Sequence, residues 1–175
     1  YKKIKLEGTG IQYRPTSAAA KSRSAARTGR VTDFPLDEKQ RERLQTIVSE
    51  AFLAEMQKLE RFEVTDEEGP DVLIVRGGLL DVVSKVPPEP LGRVDIYLES
   101  VGEATLVLEL VDAQSNTVLV RAIDRRAAET IGRPLPSNSV TSWADVKRLA
   151  ESWARLLRNR LDSIADAMTL NTDAI

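Results

Sequence analysis

Five places in the sequence put residues where chemistry is conceivable. Asp66, Glu67 and Glu68 stand in a row, and grouped carboxylates serve general acid and base catalysis or hold a hard cation. Their spacing matches no calcium loop, and the neighbouring "EEGP" is turn chemistry, so the plainer reading is a solvated turn. Asp124, Arg125 and Arg126 follow the run "VLVRAI". Arginine forks suit carboxylate and phosphate groups, yet a solvated strand end with a local ion pair explains them as well. Glu109 interrupts "LVLELV", where a buried carboxylate would be a functional signal. An open sheet face beside Arg121 is the reading preferred here. Gly77–Gly78 invites comparison with a phosphate loop, but no helix opens behind it with Lys and Ser or Thr, so a β-bulge is expected. Lys21, Arg23, Arg27 and Arg30 form the last group, a basic arm suited to an anionic surface or to plain solvation.

The residues that are missing narrow the chemistry further. The chain has no histidine and no cysteine. The commonest general base, the commonest metal ligand, thiol nucleophiles and thiolate zinc sites are thereby excluded. No cofactor is indicated. Aromatic residues make up 5% of the chain, too few for the stacked platform of a nucleic-acid binder. Net charge is −2 over 175 residues but is unevenly spread. Residues 1–30 carry eight Lys or Arg against Glu7 alone, a net +7, which leaves −9 for the rest. This is a basic arm on an acidic body. The longest apolar runs fall far short of the ~20 residues of a membrane helix. The chain opens on Tyr1 without a signal peptide and is read as a mature region whose leader has been removed.

These groups must be carried by regular elements. Ile4 and Leu6 alternate with Lys3, Lys5 and Glu7, as in a half-buried strand. Residues 16–36 read as a basic flexible loop. Asp37 and Gln40 have capping-box spacing, and Leu44, Ile47, Val48, Ala51, Phe52 and Leu59 recur at helical intervals, which predicts a helix over about 37–60. Phe62 and Val64 start a short strand, and "DVLIVRGGLLDVV" reads as a long one. Val94 to Glu99 predicts another strand, "SVGE" a turn, and "TLVLELV" and "VLVRAI" a hairpin around a loop of about four residues built on a type I turn. Ser142 is placed as the cap of a final helix whose stripe includes Trp143, Val146, Trp153, Leu156, Leu157, Leu161, Ile164 and Met168. Trp153 is expected in the core and Trp143 at its edge. The fold class that follows is α+β: a two-layer sandwich, a mostly antiparallel sheet with two long amphipathic helices on one face. One domain, 1–175, is expected, with an N-terminal strand region 1–15, the loop 16–36, and the sheet and helices in 37–170.

Three segments, "GPDVLIVRGGLLDV", "ATLVLELVDAQSNTVLVRAIDRRA" and "SWADVKRLAESWARLLRNRLD", resemble the bacterial lipoprotein family known as domain of unknown function 3313. The resemblance covers nearly the whole chain. It departs at Ser115–Asn116–Thr117, where a Thr-Gly-Glu-like turn is expected, and in the lack of a lipidated cysteine. It implies a lipid-anchored protein on the periplasmic side of a Gram-negative envelope, and it carries no catalytic residues over.

Residues and resemblance together give a non-enzymatic envelope lipoprotein domain. It would bind an envelope protein or an anionic lipid surface, with Lys21, Arg23, Arg27 and Arg30 as contacts and self-association open. The alternative is a small-ligand-binding domain or a carboxylate-based enzyme.

Overall fold

The computed structural model describes residues 1–17, 33–87, 100–129 and 139–172, the last of these with side chains over 143–166. Five strands and two helices follow in the order β1 (Lys3–Tyr13), α1 (Glu38–Met56), β2 (Glu63–Val64), β3 (Val72–Ser84), β4 (Ser100–Asp112), β5 (Val118–Glu129) and α2 (Ser139–Thr172). The sheet order is β2-β1-β3-β4-β5. The β3–β4 and β4–β5 pairs are antiparallel, but β1 runs parallel to both β2 and β3. The sheet is therefore mixed: β3, β4 and β5 pair antiparallel, as expected, and the parallel course of β1 was not foreseen. The cause is α1: a helix between two neighbouring strands returns the chain to its starting edge, and the strands then run the same way.

Asp37 caps α1 as its spacing predicts. The Asp37 carboxylate accepts the Gln40 N–H at 2.8 Å, and the Gln40 amide oxygen accepts the Asp37 N–H at 2.9 Å. Both helices lie on one side of the sheet. Leu44 of α1 and Trp153 of α2 meet Leu79, Ala104 and Leu106, while Met56, Leu157 and Leu161 meet Ile4, Leu73, Val75 and Leu110. The hairpin register pairs Leu110 with Val120, Leu108 with Ala122 and Leu106 with Asp124. The leucines of β4 thus share their face with the even-numbered residues of β5. Ala113–Asn116 form the loop, closed by Asp112 N–H donating to the Thr117 carbonyl at 2.9 Å. Asn116 takes the left-handed conformation, φ 54°, where glycine would otherwise be usual.

Several expected boundaries move. "SVGE" is no turn: Ser100–Glu103 belong to β4, with Val101 buried. Gly102 is small because β3 passes so close that a Cβ there would stand 2.6 Å from the Val83 carbonyl oxygen. The Gly77–Gly78 pair does sit at a bulge, but the extra residue is Thr9 of β1, whose hydroxyl fills the space beside Gly78. α2 begins at Ser139, ahead of Ser142, and Leu156 turns outward from the expected stripe. The strand expected over Val94 to Glu99 lies outside the described residues.

Candidate functional site: six charges at one end of the sheet

The polar constellation that the elements bring together is one that residue spacing did not reveal. β3 breaks register with β4 between Leu80 and Val83, and Asp81 adopts φ 56° there. Aspartate tolerates that conformation better than most residues. The bulge aims the Asp81 carboxylate at Arg14, just beyond the end of β1. Arg14 donates from Nε and Nη2 to the two Asp81 oxygens at 2.8 and 2.7 Å. Its backbone N–H donates to the Val82 carbonyl at 2.9 Å, which fixes the approach.

Four more charged groups complete the cluster. Arg14 Nη1 stands 2.8 Å from Asp33 and Nη2 3.2 Å from Glu103. Lys85 Nζ stands 2.5 Å from Asp33 and 3.3 Å from Glu103. Arg125 reaches Glu103 at 2.9 Å and Asp81 at 3.7 Å. Three cations thus face three carboxylates. Phe34, buried beside Asp33, pairs its backbone with Ser84 of β3 and holds that segment against the strand.

The electrostatics follow from the contacts. The Lys85 ammonium, and after it Arg14, hold Asp33 below the usual carboxylate range against the opposing cost of burial. Arg14 does the same for Asp81. Arg125, Arg14 and Lys85 together lower Glu103. Lys85 is raised, chiefly by Asp33, and Arg14 is raised, chiefly by Asp81. Asp33, Asp81, Glu103, Lys85 and Arg14 are thereby locked in their charged forms near neutral pH. A carboxylate held ionised is a poor proton donor, and an ammonium held protonated is no base. What the arrangement does well is clamp the end of β1 and residue 33 onto β3 and β4.

The residues singled out in the sequence fall elsewhere. Glu68 points to Lys5 of β1 at 2.7 Å, and Glu67 donates its N–H to Thr65, so this stretch is a turn as read. Among the described residues no three carboxylates gather as ligands to a metal would. Glu109 lies on the open face between Arg121, with contacts of 2.5 and 2.8 Å, and Arg76 at 4.0 Å. Arg76 continues to Glu7 at 2.5 Å, giving a row of alternating charge across four strands.

Asp124–Arg126 are not a strand end, because β5 runs on to Glu129. Their side chains divide between the two faces. Asp124 accepts the indole N–H of buried Trp153 at 2.9 Å and pairs with Arg126 at 2.7 Å, while Arg125 joins the six-charge cluster. Lys21, Arg23, Arg27 and Arg30 lie outside the described residues. The available signal for the cluster was Asp81, a charge inside "LLDVV".

The sequence matches the model of a family described as "protein of unknown function (DUF3313)" over residues 29–157. Among curated proteins there is no match. Among solved structures, the fold is similar to that of protein XCC0632 from Xanthomonas campestris, of family DUF330. The TM-score is 0.53 at 8% identity, covering 98% of this chain and 88% of that one. A minor lipoprotein from Acinetobacter baumannii aligns with a TM-score of 0.41 at 9% identity, over 93% of this chain and 94% of that one.

Proposed function

The chain belongs to the DUF3313 family, and from that premise we propose that it is a non-enzymatic domain of a cell-envelope lipoprotein that docks on an anionic partner surface through its basic segment. The lipid anchor and the periplasmic side are what the family resemblance implies. The observation that carries the docking reading is the 2.8 Å ion pair between Arg14 and Asp33. These two residues bracket the segment holding Lys21, Arg23, Arg27 and Arg30, which contains no acidic residue. The pair closes the segment at its base, and Asp81, Lys85 and Glu103 fasten that base to the sheet. The four cations lie in the sequence between these two anchored residues, and residues 31–175 carry a net −9. Each basic residue near an anionic membrane contributes about 1 kcal/mol, an attraction that salt screens within roughly 8 Å.

The test replaces Lys21, Arg23, Arg27 and Arg30 with Gln and measures binding to anionic and zwitterionic vesicles across a salt series. The expected outcome is weaker binding to anionic vesicles and a flatter salt dependence, with thermal stability unchanged. Unaltered binding would remove the docking role from these residues.

A further inference from the structure

β5 ends the sheet, and among the described residues its backbone pairs only with β4. The helices cover it only in part: Asp124 accepts the indole N–H of Trp153 and Ala128 is buried, but Val120, on the helix side, is 46% exposed, and Ile123, on the open side, is 66% exposed. Natural sheets blunt such edges with proline, lysine, bulges or very short strands. β5 has twelve residues, no proline, no lysine and an unbroken register from Val120 to Ala127.

We propose that β5 pairs antiparallel with β5 of a second copy of this chain, about a two-fold axis at Arg125, making one continuous sheet. The charges along the strand select this register. For the helices of both copies to stay on one side, residues opposite each other must point to the same face, so their positions share parity. Registers centred on Arg121 or Ala122 bring no opposite charges together, one centred on Ile123 sets Arg121 against Arg125, one centred on Asp124 sets that aspartate against its own copy, and one centred on Ala127 gains only the Arg125–Glu129 pair. Centring on Arg125 sets Asp124 against Arg126 and Arg121 against Glu129, twice each. Ile123 then lies opposite Ala127, and Ala122 opposite Ala128. Arg125 meets its own copy, but Glu103 at 2.9 Å and Asp81 at 3.7 Å already compensate each guanidinium.

The absence of cysteine gives a direct test. Ile123→Cys combined with Ala127→Cys places two cross-strand thiol pairs in the proposed dimer. Four positions apart on one strand, the two thiols of a single copy cannot meet, since each residue advances about 3.3 Å. Mild oxidation should give a covalent dimer with the double variant and little with Ile123→Cys alone. By sedimentation, Arg121→Glu and Glu129→Arg should each weaken self-association by about tenfold, as lost cross-strand charge pairs do. The two changes together should restore it. Thermal melts of the same variants distinguish a lost dimer from a lost fold, because Arg121 also holds Glu109. An unmodified chain that stays monomeric at every concentration overturns the proposal. So does equal cross-linking of the single and double cysteine variants, or a charge swap that fails to restore association in folded protein.

Discussion

Trp153 and Gly102 show how much a single position contributes. Trp153 is 3% exposed, packs with Leu44, Leu79 and Leu106, and donates its indole N–H to Asp124. Trp153→Ala removes both the packing and the bond and should cost about 3–5 kcal/mol in urea denaturation. Trp153→Phe keeps a ring but leaves Asp124 without that donor; the hydrogen bond itself contributes about 1 kcal/mol of what is lost. Trp153 was legible from its helical spacing, but its partner was not, because Asp124 read as part of a charged strand end. Gly102 was misread for a related reason. Glycine in "SVGE" suggested a turn, whereas its lack of a Cβ lets the Val83 carbonyl approach. Gly102→Ala forces backbone to move against backbone and should cost about 1–3 kcal/mol by the same measurement.

Elements were legible where one periodicity ruled, and the site was not, because it is made by register. The alternation in β4 and β5, the stripe of Trp153, Leu157 and Leu161, and the Asp37–Gln40 cap are local patterns that packing reinforced. The parallel direction of β1 depends on where α1 returns the chain, which no strand states by itself. The six-charge cluster draws on residues up to 111 positions apart, and only the β3 bulge brings them into reach. That bulge makes a separable prediction. Asp81→Gly keeps the left-handed backbone but loses the carboxylate that grips Arg14, while Asp81→Ala loses the carboxylate and also strains φ. Denaturant midpoints should therefore rank wild type above Asp81→Gly and Asp81→Gly above Asp81→Ala. Equal midpoints for the two variants would mean that the strand relaxes out of its bulge once the ion pairs are gone.

For the molecule as a whole, the pattern of shifted groups fixes how stability depends on pH. Asp33, Asp81, Glu103 and Glu55 are all lowered by cations that bond to them, Lys58 being the first cause for Glu55. Asp112 is lowered to about 2, first by the Tyr1 hydroxyl at 2.5 Å and then by Ser115. A carboxylate with a depressed folded value contributes stability that is present above its unfolded value, about 4, and is lost as pH falls through the folded one. On the alkaline side Lys85 is raised. Its contribution is complete below about 10.4 and disappears as pH climbs through the raised value. No histidine or cysteine lies between these limits, so no ordinary side chain titrates across the neutral range. The denaturation midpoint should accordingly be flat from about pH 5 to 9 and fall on both sides. Asp112→Asn should shorten the acid limb at its lowest end, near pH 2, and leave the plateau flat. A slope within the plateau of the unmodified chain would contradict this assignment and require a group whose ionisation the fold shifts into the neutral range.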